Sequence, residues 1–99
     1  MPRSSSSSDD WRKQTLDFES IKERDRWIAD HAEYWTVVRY LGPRRGYERH
    51  ETKTMDQAIE MAGRMAKQAG TNYLVYAVAG TRDAMVCFID PEGNRHNAS

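Results

Sequence analysis

Apolar and polar positions along this chain follow two periods, and each marks an element. Met55, Ala58, Ile59, Ala62, Met65, Ala66 and Ala69 recur at helical spacing. Thr54-x-x-Gln57 ahead of them is a capping box, and Gly70 behind them suits a left-handed cap. The pattern predicts a helix over residues 55–69 that buries Ile59, Ala62, Met65 and Ala66. Its alanines would let it lie close to a sheet. A second capping box, Ser20-x-x-Glu23, opens a helix over residues 20–32 with a narrow apolar stripe of Ile21, Ile28 and Ala32. That stripe is weak, so the first helix is expected to rest loosely or to cover a small patch.

Period-two segments fill the gaps. Tyr34 to Leu41 is rich in β-branched and aromatic residues and reads as a strand. Trp35, Val37 and Leu41 point one way; Tyr34, Thr36, Val38 and Tyr40 point the other. Gly42-Pro43-Arg44-Arg45-Gly46 is turn chemistry, and Tyr47 to Lys53 continues as a polar strand suited to a sheet edge. Tyr73–Ala79 and Ala84–Ile89 are short apolar strands around a hairpin loop, Gly80-Thr81-Arg82-Asp83. Asp90-Pro91-Glu92-Gly93 turns the chain out. The expected fold is α+β, in the order α-β-β-α-β-β. It has a four-stranded antiparallel sheet of two hairpins, with one helix packed across a face and a preceding N-terminal helix. Strand order stays open. The expected organisation is a Ser-rich disordered tail over residues 1–10, one domain over 11–92 and a polar C-terminal tail over 93–99.

Composition narrows the classes. Leu, Ile, Val and Phe number only 14 of 99 residues, so the core must be modest. Lys+Arg and Asp+Glu balance at 15 each, which gives no overall pull toward nucleic acid or membranes. The balance hides asymmetry. Residues 9–33 hold eight acids and five bases, whereas residues 39–53 hold five bases and two acids. No run approaches the ~20 apolar residues of a membrane span. The N-terminus has no apolar run of the secretory kind. A single cysteine, Cys87, excludes an internal disulfide, and a reducing, cytoplasmic setting is expected.

Catalytic chemistry finds no constellation here. Cys87 sits in an apolar strand and reads as a small buried hydrophobe rather than a reactive thiol. His31, His50 and His96 lie on different elements, without metal-ligand spacing. No Gly-rich phosphate loop is present. The expectation is a non-enzymatic protein without cofactor or metal. What stands out is the hairpin of Arg39, Tyr40, Arg44, Arg45, Tyr47, Arg49 and Lys53, with His50 among them. Arg and Tyr anchor protein interfaces, and the same pair serves nucleic acid, Arg on phosphate and Tyr on bases. These residues form the candidate partner-binding site, with a protein partner expected and a nucleic acid as the alternative.

Two resemblances bear on the partner. The stretch Tyr34-Trp-Thr-Val-Val followed by Glu51-Thr-Lys-Thr-Met-Asp-Gln-Ala-Ile-Glu-Met-Ala62 resembles small phage-encoded accessory proteins. Host RNA polymerase inhibitors and anti-CRISPR proteins are of this kind. That resemblance implies an inhibitor or adaptor that binds and modulates a larger host protein complex. Thr52-Lys53 with Ala58 is similar to the helix entry of integrase arm-type DNA-binding domains. This second resemblance implies a sheet that enters the major groove.

Overall fold

Capping and alternation place the elements, and the structure, a computed structural model, describes residues 20–98. The tail expected over residues 1–10, and the start of the expected domain up to residue 19, lie outside the described residues. The Ser20 hydroxyl accepts the Glu23 N–H at 3.1 Å and starts helix α1, Ile21–Asp30. Strands β1, Tyr34–Gly42, and β2, Gly46–Thr52, follow as a hairpin. The Thr54 hydroxyl accepts the Gln57 N–H at 3.1 Å and starts helix α2, Met55–Ala69. Gly70 ends it with φ +70°, where its N–H donates to the Ala66 carbonyl. Strands β3, Tyr73–Ala79, and β4, Arg82–Ile89, form a second hairpin, and β5, Arg95–Asn97, closes the series.

The sheet therefore has five antiparallel strands, in the order β2-β1-β3-β4-β5, and not the four expected. Asp90 is the reason. Its Oδ1 accepts the Glu92 and Asn94 N–H groups, and its Oδ2 meets His96 Nε2 at 2.9 Å. The turn that was expected to lead the chain away instead folds it back along β4. Residues 95–97, expected in a polar tail, pair with Cys87, Phe88 and Ile89. The loop between β3 and β4 is also shorter than expected, because Arg82 and Asp83 already pair with Ala79 and Val78.

The two described helices lie on the same side of the sheet. Val37, Tyr73, Val75, Cys87 and Ile89 meet Ala58, Ala62 and Ala66 of α2, with Ile59 and Met65 packed around them. The fully buried row of α2 is thus an alanine stripe at four-residue spacing, and Ile59 and Met65, expected inside, are half-buried at its margin. Ala77, Ala79 and Ala84 meet Ile28 of α1, with Trp27, Ala32 and Trp35 alongside. That contact uses the C-terminal half of α1. Ile21, expected in the apolar stripe, precedes it and is 77% exposed. Val75, Ala77 and Ala79 alternate along one strand, so the two clusters share one face. Val86 bulges out of the β3–β4 register, since Val75 pairs with Cys87 and Tyr76 with Met85. The bulge keeps both Ala84 and Cys87 on the helix side although they are three residues apart.

Candidate functional site

Strand alternation divides the basic hairpin into two unlike sides. Tyr40 pairs with Tyr47, and Val38 with Arg49. These four residues point away from the helices. The two tyrosine rings lie 5.2 Å apart at 55° and are 56% and 66% exposed. The turn beyond them is closed by the Arg45 N–H donating to the Gly42 carbonyl at 3.2 Å. Gly42 and Gly46 take φ of +120° and +71° there, values that L side chains resist. Arg44 and Arg45 are exposed at the tip.

Arg39 faces the opposite way and is not part of that surface. Its Nη2 lies 3.3 Å from Glu48 Oε1, and its guanidinium carbon is 5.5 Å from the centroid of the Tyr73 ring. The Tyr73 hydroxyl donates to the same Glu48 oxygen at 3.0 Å, and His50 Nε2 lies 2.8 Å from the other. The His50 hydrogen bond, then that of Tyr73 and the Arg39 charge, hold the Glu48 carboxyl below its ordinary value, although burial works against them. Burial first, and then the bond to Glu48, push the Tyr73 hydroxyl up. Tyr73 thus remains a protonated donor. This is a structural clamp between β1, β2 and β3, and it consumes the Arg39 charge. Lys53 lies beyond the end of β2 that is away from the tip. Its N–H donates to Gln57 Oε1 at 3.1 Å at the start of α2.

Tertiary pairing brings further residues beside the hairpin. Tyr34 and Val38 of β1, Leu74 and Tyr76 of β3, and Met85 and Phe88 of β4 share the helix-free face with Tyr40, Tyr47 and Arg49. No described helix covers that face. At its centre Thr36 is 1% exposed, flanked by Tyr76 and Glu51 on the neighbouring strands. A shallow hollow of about 270 Å³ opens there, lined by Thr36, Val38, Tyr47, Arg49, Tyr76 and Asp83. Burial, with the nearby Asp83 charge and Tyr47, pushes the Tyr76 hydroxyl up. The signal for these residues is present in the alternation of β1. In β3 it is masked, because Tyr-Leu-Val-Tyr-Ala-Val-Ala is apolar on both sides.

Cys87 is fully buried, and burial pushes its thiol up. Among the described residues no group of three or more His, Cys, Asp or Glu side chains is placed to hold a metal ion. No described helix is long and apolar enough to cross a membrane. Comparison with protein-family models, curated proteins and solved structures finds no match.

Proposed function

We propose that this chain is a non-enzymatic interaction protein that binds a larger protein partner through the tip of the β1–β2 hairpin. One observation carries the reading. Tyr40 and Tyr47 are large, exposed and paired across the strands, directly beside the exposed Arg44 and Arg45. Aromatic rings and guanidinium groups on a rigid hairpin lose little entropy on binding and offer both area and directed hydrogen bonds. The arginines favour an acidic rim on the partner. The resemblance to phage accessory proteins makes a host complex the natural class of partner. A nucleic acid is less well supported, because the carboxylates of Glu51 and Asp83 share the sheet face with Arg49 and would oppose a phosphate backbone.

The test is a differential capture from nuclease-treated extract. Wild type is immobilised beside Tyr40→Ala/Tyr47→Ala and beside Arg44→Glu/Arg45→Glu, each checked for fold by circular dichroism. A protein held by wild type and lost from both variants supports the reading. Retention by both variants overturns it. So does salt-sensitive binding of an oligonucleotide that needs the same residues.

A further inference from the structure

The centre of the helix-free face has a property that the hairpin tip does not share: it is complementary to itself. Arg49 and Glu51 are two residues apart on β2 and point out of the same face. Neither side chain makes a hydrogen bond or an ion pair among the described residues. Beside them in register run Val38 and Thr36 on β1, Leu74 and Tyr76 on β3, and Phe88 and Met85 on β4. The centre of the face therefore consists of two adjacent rows. One holds Arg49, Val38, Leu74 and Phe88; the other holds Glu51, Thr36, Tyr76 and Met85.

We propose that a second copy of this chain covers the central face, sheet against sheet, in a two-fold dimer. This rests on the same reading of the helix-free side as protein-binding, and it names the partner of its central part. A two-fold axis across the strands, between the two rows, sets each row over the other row of the second copy. Arg49 then meets Glu51 of the second copy, and Glu51 meets its Arg49, which makes two reciprocal ion pairs of the isologous kind. Leu74 meets Tyr76, and Met85 meets Phe88, an apolar pair and a sulfur–aromatic pair. A nucleic acid gains nothing from Glu51, and an unrelated protein has no reason to match this alternation of charge. The same axis sets Tyr34 of the second copy over Tyr40 and carries the exposed Arg44–Arg45 turns to opposite ends of the pair. Four strands about 4.8 Å apart give a face only about 20 Å wide, so the interface is at the small end for a specific complex. Micromolar self-association is the scale this implies.

Sedimentation equilibrium from about 1 μM to 1 mM, a range set around that micromolar scale, tests the proposal with charge variants of these exposed residues. Wild type is expected to move from monomer to dimer across the range. Arg49→Glu alone and Glu51→Arg alone put like charges opposite each other, and each is expected to weaken self-association about tenfold or more. Mixing these two variants is expected to restore the pair as a heterodimer. The swap Arg49→Glu/Glu51→Arg in one chain is expected to restore the homodimer. A wild type that stays monomeric, or single variants that dimerise as well as wild type, would overturn the proposal. So would a mixture that fails to pair. If wild type is monomeric while the tip variants still lose a captured protein, the second copy is rejected and the hairpin reading stands. The reverse pattern rejects the hairpin reading alone.

Discussion

Two carboxylates hold this molecule together in different ways. Glu48 collects Arg39, His50 and Tyr73 from three neighbouring strands. Tyr73→Phe removes one of those bonds and is expected to cost roughly 1 kcal/mol in urea denaturation. Glu48→Gln weakens the hold on Arg39 and is expected to cost roughly 1–2 kcal/mol. Neither change touches the hairpin tip, so partner capture should survive both. Asp90 acts alone in its turn. The His96 hydrogen bond, followed by the Asn94 and Glu92 N–H groups, lowers its carboxyl from 3.8 to about 2. A carboxyl depressed in the fold contributes stability above its unfolded value, and that contribution is lost as pH falls through the folded one. Protection of amides 95–98, exchange taken relative to the intrinsic rate at each pH, should therefore hold above pH 4 and fall as pH drops from 3.8 toward 2. Unchanged protection across that window would separate Asp90 from the docking of β5.

At the scale of elements, α2 depends on small side chains. Ala58, Ala62 and Ala66 are fully buried against the sheet. Ala62→Leu should cost roughly 1–3 kcal/mol through overpacking. Ile59→Asp should cost less than Ala62→Asp, since Ile59 lies at the margin of the contact. Thr54→Ala, which removes the cap on Gln57, should cost about 1 kcal/mol. Thermal or urea melts of these variants check all three expectations. The helices and the first four strands were legible because caps and periods agree there: Ser20 with Glu23, Thr54 with Gln57, and the alternation from Tyr34 to Leu41. The buried row of α2 was not legible, because 3.6-residue periodicity admits both Ala58 and Ile59, and only the sheet chooses between them. The fifth strand was missed because Arg95, His96 and Asn97 carry no apolar signal. Their pairing comes from the Asp90 turn, whose Asp-Pro-Glu-Gly-Asn sequence suits a hairpin as well as an exit from the sheet. The bulge at Val86 leaves no mark in a run that is apolar throughout.

For the whole molecule, the decisive feature is that the two described helices share one face and leave the other to aromatic and charged side chains. The candidate site was legible only as a stretch of sequence. Strand alternation then separated Arg39 from Tyr40, and tertiary pairing brought Leu74, Tyr76, Met85 and Phe88 alongside. A self-associating fold should also melt higher when concentrated. The wild-type Tm is expected to rise with protein concentration, and that of Arg49→Glu to stay nearly flat. The most direct check on the helix-free side as the contact surface is hydroxyl-radical footprinting, read by mass spectrometry. It compares the dilute chain alone with the chain in its captured complex. The expected result is strong labelling of Tyr40 and Tyr47 in the free chain and protection of both in the complex, with the exposed Ile21 on the helix side labelled equally in each. Equal labelling of Tyr40 and Tyr47 in the two states, with protection confined to the outer sides of α1 and α2, would contradict it.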